Sequence, residues 1–241
     1  MAESPLAQFE VKSLIPMQFG SVDISFTNSS LFMVAIVGLM TLFMIGGMRR
    51  AAVVPGRWQS MVEMMYEFVA GMVSSTTGSE GRRFFPFVFT LFTFILCANL
   101  LGLLPYAFTV TSHIIVTFAL AAAVFIGVTV VGFVKHGAGF LRYFVPAGIP
   151  KILLPLLVVI EVISYLTRPM SLSVRLFANM MAGHTMLKVF GGFVVALGAF
   201  GVLPFLFIVA IMALEVVVAL LQAYVFAVLT CIYLNDALHL H

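Results

Sequence analysis

Long apolar stretches alternate with short clusters of charge along this chain. An uncharged apolar run covers residues 29–48, and Phe84 to Val134 contains no Asp, Glu, Lys or Arg at all. A helix that crosses the hydrocarbon layer needs about 20 apolar residues. The first run is therefore one span. The second stretch is too long for one, and Leu104-Pro105 with the polar Thr109 to His113 marks its turn. Spans over 84–104 and 113–134 follow. A last region, Lys151 to Asn235, holds two helices, expected over 151–190 and 200–235. Gly191-Gly192 and Gly198 to Gly201 supply the break between them.

The segment 57–77 has a different pattern. Trp58, Met61, Met65, Phe68 and Met72 recur three or four apart, while Ser60, Glu63 and Glu67 line another side. That periodicity predicts an amphipathic helix lying at the membrane interface rather than crossing it. The expected architecture is an all-α integral membrane protein: five membrane helices plus one interfacial helix in a single membrane domain over 29–241. Residues 1–28 form an N-terminal segment outside it. No signal peptide is expected, because Glu3, Glu10, Lys12 and Asp23 interrupt the first 28 residues.

Composition narrows the class further. Of 241 residues 63% are apolar and 9% charged, with a net charge of +3. A soluble domain carries roughly a quarter charged residues. Disorder needs the opposite balance, and so small a positive excess does not suit a nucleic-acid partner. Cys97 and Cys231 sit in apolar runs without metal-type spacing and read as small buried hydrophobes. No phosphate-cradling loop, nucleophilic triad or zinc motif occurs, so neither covalent catalysis nor a cofactor is expected. The basic residues set the orientation. Arg49, Arg50, Arg57, Arg82 and Arg83 lie between the first and second spans, and Lys135, Arg142 and Lys151 between the third and fourth. Both loops are expected on the cytoplasmic side, the N-terminus outside and the C-terminus inside.

The last two helices are too long for the layer. Nearly 40 residues at 1.5 Å each reach roughly 55–60 Å, against about 30 Å of hydrocarbon. Either they break, with Pro155, Pro169 and Pro204 as candidate kinks, or they form a steeply tilted antiparallel hairpin. A turn near 199 makes the numbers of facing residues sum to about 398. Arg175 is then level with Gln222, His184 with Glu215, Asn179 with Ala219, and Glu161 with Asp236. On the first helix, Glu161, Arg168, Arg175 and Asn179 fall within about 40° of one another, whereas His184 points to the opposite side of an ideal helix.

These few polar groups carry the candidate chemistry. A mid-membrane Arg costs at least about 2.5–3.5 kcal/mol on insertion scales, and its charge is permanent. Arg175 has two readings: helix glue paired with Glu161 or Glu215, or a fixed charge facing an ion path. Glu161, Glu215 and His184 can each load and release a proton, and His titrates at ordinary pH. Ser164, Asn179 and Gln222 can hold water between them. Asn99 either lines the outer path or bonds its neighbours. Arg168 either steers ions near the inner path or pairs with Glu161. His113 reads as interfacial, and His136, His239 and His241 as solvent-accessible.

Three segments carry a family resemblance. Ser171 to His184 (SLSVRLFANMMAGH) closely resembles the signature of subunit a of F-type ATP synthases. Leu221 to Leu234 (LQAYVFAVLTCIYL) resembles its final helix, and Asn99 to Pro105 (NLLGLLP) a third family segment. The resemblance runs from the first span to the C-terminus. It implies a stationary, non-catalytic proton-channel subunit beside a rotating c-ring, with b-type peripheral stalk subunits and the rest of the complex as partners, in a bacterial inner membrane. It implies further that Arg175 separates two half-channels. Asn179, His184, Glu215 and Gln222 would belong to the outer one, with Asn99 a weaker member. Glu161 and Ser164 would belong to the inner one, with Arg168 a weaker member. In some bacterial members Glu occupies the His184 position and His the Glu215 position, so here the pair is exchanged. A proton-coupled secondary transporter is the alternative. Such folds commonly show internal repeats and broken helices around a solute site, and the chain has neither repeats nor a solute-suited polar pocket. A purely structural membrane subunit leaves Arg175 unexplained.

Overall fold

The computed structural model describes residues 9–16, 18–19, 22–23, 25–49, 52–104, 107–145 and 153–239. Six helices account for most of them: α1 (Asn28–Met48), α2 (Arg57–Thr77), α3 (Phe85–Gly102), α4 (Ile114–His136), α5 (Leu154–Leu197) and α6 (Val202–Leu238). Five are long and apolar enough to cross a membrane, and α2 is the sixth. Arg50, Pro105, Pro150, Lys151 and His241 fall outside the described residues, as does the side chain of Arg142.

The N-terminal segment contains two short antiparallel pairs that the sequence pattern does not announce. Ser13–Ile15 pairs with Phe26–Thr27, and Gln18–Phe19 with Val22–Asp23. Strands of two or three residues have no readable period. Asn28 fastens this segment to α1: its side-chain amide donates to the Glu10 carbonyl at 3.0 Å, and its oxygen accepts from Lys12 N–H at 3.1 Å. The Thr27 hydroxyl caps α1 by accepting from Ser30 N–H.

Of the stripe expected on α2, Met72 is buried and Met65 half-buried, whereas Trp58, Met61 and Phe68 stay exposed; Val62, Val69 and Val73, beside the stripe, turn inward. The helix packs on α1, α3 and α6. At Gly47 a Cβ would stand 2.6 Å from Val62 Cγ2, so this glycine permits the close crossing of α1 over α2. The main core joins α2, α3, α4 and α6 through Val69, Val88, Ile95, Val124, Ala223 and Phe226. Cys231 is fully buried there, but Cys97 is only half-buried.

Neither long helix is broken. α5 has 44 residues and α6 has 37, which at 1.5 Å each extend about 66 and 55 Å. The first helix of the hairpin, expected to stop at 190, continues to Leu197. Gly191-Gly192 weakens a helix but removes no hydrogen bond, and backbone groups in lipid must be bonded within the segment. The stop comes at Gly198, whose φ of 55° only glycine adopts freely, and a 3-10 turn at Gly198–Gly201 leads into α6. Pro155 and Pro204 lie in the first turns of their helices, where the missing N–H is not needed. Pro169 is buried inside the continuous α5.

Candidate functional site

The hairpin register brings His184 and Glu215 together. His184 Nδ1 stands 3.9 Å from Glu215 Oε1, with side chains 11% and 9% exposed. That distance is an ion-pair approach without a hydrogen bond, and both Glu215 oxygens and His184 Nδ1 are buried without a partner. The other ring nitrogen, Nε2, lies 2.8 Å from the Gly102 carbonyl at the end of α3. A proton on Nε2 satisfies that carbonyl and leaves Nδ1 free to accept or release a second proton toward Glu215. Gly183 makes room for the pair, since a Cβ there would sit 2.1 Å from Glu215 Oε1.

Asn99 completes this buried cluster from α3. Its amide donates to the Ala219 carbonyl at 3.3 Å, and its oxygen has no partner. Gln222, one turn past Ala219, is buried on the same inward face of α6. The connection from α3 to α4 adds polar groups that sequence reasoning left out. The Thr109 hydroxyl donates to Gly102 O, and Thr111 and Ser112 are buried. His113, expected at an interface, is half-buried and stacked on Phe108 at 4.8 Å.

Arg175 stands apart from this cluster. It and Asn179 are exposed on α5. Among the described residues Arg175 has no hydrogen bond or ion pair, so pairing with Glu161 or Glu215 as helix glue is not what the fold contains. The opposite-side position of His184 is thereby accounted for. No kink brings it into the Arg175 row; it points inward to α3 and α6 while Arg175 points out. Ser171, Ala178 and Ala182 share the exposed side around Arg175, and small residues of this kind let another helix approach closely.

Toward the other end of α5, Ser164 is exposed and Glu161 half-exposed. Arg168 does not pair with Glu161. Its NH1 donates to Asp236 Oδ2 at 3.0 Å and its NH2 to the Tyr143 hydroxyl at 2.5 Å. Register alone sets Asp236 level with Glu161. Side chains lean toward their own helix N-terminus, however, so Arg168 reaches in the direction in which α6 ends and finds Asp236. Asp236 was legible as a partner, being the one acid besides Glu215 in α6. At the same end Lys135 pairs with Glu80, and the Leu238 carbonyl receives Lys135 Nζ at 3.0 Å and faces His136 Nε2 at 3.2 Å. His136 is thus half-buried rather than free in solvent.

Known proteins resemble this chain over nearly its whole length. The family model described as ATP synthase A chain matches residues 30–235. A protein of Pelagibacter ubique called ATP synthase subunit a is 58% identical, with 100% of both chains covered. Proteins of the same name from a Chelativorans species and from Paramagnetospirillum magneticum are 61% and 57% identical, with 99% of each chain covered.

Proposed function

Because the chain belongs to the ATP synthase A chain family, we propose that it is the stationary proton-conducting subunit of an F-type ATP synthase. In this reading it stands beside a rotating c-ring in a bacterial inner membrane, held by b-type stalk subunits, with the N-terminus periplasmic and the C-terminus cytoplasmic. ATP chemistry belongs to other subunits. The observation that carries the reading is the division of polar groups by Arg175. An unpaired guanidinium faces outward among small residues on α5, with a buried acid–base pair beyond it on one side and a carboxyl on the other.

Spacing along α5 supports two offset half-paths. His184 lies nine residues past Arg175 and Glu161 fourteen before it, which is about 13 and 21 Å along the axis. A proton entering from outside passes Asn99, Gln222, His184 and Glu215, and reaches a ring carboxyl near Asn179. Once the ring has turned, another carboxyl gives up its proton on the inner side, near Ser164 and Glu161. Arg175 attracts the ionised ring carboxylate as it passes and repels any proton moving straight from one half-path to the other. A guanidinium is a fixed charge in proteins, which suits a barrier between the half-paths.

The test is association. The native protein purified in mild detergent is expected to bring down a c-ring and the soluble ATPase sectors. Purification with neither would overturn the reading. A local prediction concerns Gly183. Gly183→Ala puts a methyl group where Glu215 Oε1 lies, so the carboxyl must swing from His184. ATP-driven proton pumping is expected to fall roughly tenfold, equivalent to about 1.4 kcal/mol, with the complex still assembled. Unchanged pumping would remove the His184–Glu215 approach from the path.

A further inference from the structure

Glu161, Arg168 and Arg175 follow one another at seven-residue intervals on α5, which sets neighbours about 20° apart on an ideal helix. All three begin on one strip, yet they end differently. Arg175 is exposed and Glu161 half-exposed. Among the described residues neither has a hydrogen bond or ion pair. Arg168 is drawn off the strip. Besides its bonds to Asp236 and Tyr143, its guanidinium lies over the rings of Tyr233, Tyr165 and Tyr143 at 4.9, 5.4 and 5.7 Å. Tyr165 is itself fixed by a 2.7 Å hydrogen bond with Thr129 on α4.

Five donors and a delocalised charge make guanidinium hard to satisfy with less than this. Aromatic faces attract a desolvated cation, and the carboxylate supplies charge and direction. Among the described residues at this end, Lys135 is already committed to Glu80 and the Leu238 carbonyl. If Asp236 were neutral, Arg168 would be free to return to the strip between Glu161 and Arg175. A second permanent positive charge would then stand where protons leave or enter the inner half-path.

We propose that Asp236, with Tyr143, Tyr165 and Tyr233, holds Arg168 off this strip, so that Arg175 is the fixed positive charge left on it and Glu161 remains free to exchange protons. Asp236 is a positioning residue in this scheme, acting through Arg168. The inference rests on the proton-path reading above.

The test uses the whole complex in inside-out vesicles, with ATP-driven pumping normalised to assembled complex by immunoblot. Asp236→Asn is expected to lower pumping about tenfold at unchanged assembly, whereas Asp236→Glu keeps the carboxylate and most of the pumping. Adding Arg168→Gln to Asp236→Asn is expected to restore most of what was lost, because the stray charge is gone. A purely structural clasp makes the opposite prediction, a double variant no better than Asp236→Asn. That result, or a loss that merely follows the amount of complex, overturns the proposal. Arg175→Ala separates the two levels. If it pumps fully, the proton-path reading fails. If it is inactive while Arg168→Gln gives no rescue, this inference alone fails.

Discussion

Arg175→Ala should reduce ATP-driven proton pumping in inside-out vesicles to background while the complex remains assembled. Among the described residues the guanidinium has no hydrogen bond or ion pair, so its removal leaves no buried carboxylate stranded and opens no cavity. The fold therefore has little reason to suffer, and the loss must come from what the charge does to a partner. Two unit charges 4 Å apart attract by about 4 kcal/mol at an effective dielectric of 20. At about 1.4 kcal/mol per tenfold, losing that attraction lowers coupling by roughly a thousandfold. Passive proton conduction should survive or rise, since the barrier between the half-paths is gone. Arg175→Lys should keep that leak small, because the charge remains, while coupling falls because the planar fork is lost. Full pumping by Arg175→Ala would exclude the assigned role.

How much of this was readable beforehand depended on how far each feature reaches in space. The spans followed from apolar runs, because lipid demands about 20 such residues wherever a helix crosses. The pairing of His184 with Glu215 followed from the turn position, because an antiparallel helix pair keeps its register. Arg168 with Asp236 did not, since counting levels ignores the direction in which a long side chain leans. Asn99 remained open between two roles until a third helix was in place to show it bonded to Ala219 O. Gly102 and Gly183 carry no side-chain chemistry to read. Their part is a carbonyl for His184 and a gap for Glu215, and both exist only after the helices have packed. The outward aim of Arg175 lay in between. Periodicity separated it from His184 by half a turn, but which side faced the core needed α3 and α6.

Exchanging His184 and Glu215 together should harm pumping less than changing either alone. His184→Glu sets two carboxyls against each other, and one must stay protonated or move away. Glu215→His sets two imidazoles in the same buried space. The exchanged double restores one acid and one base to a site where neither original group depends on a direct hydrogen bond to the other. Restoration should be incomplete for a reason visible at Gly102. Its carbonyl faces His184 Nε2 at 2.8 Å, and an ionised Glu at that position offers it no donor. The double is therefore expected to keep roughly a tenth of normal pumping, with each single well below it and a coupling of about 1–3 kcal/mol in the cycle. Damage in the double equal to the sum of the singles would mean that the two side chains act independently. The outer half-path would then have to run through Asn99 and Gln222 without a proton passing between His184 and Glu215.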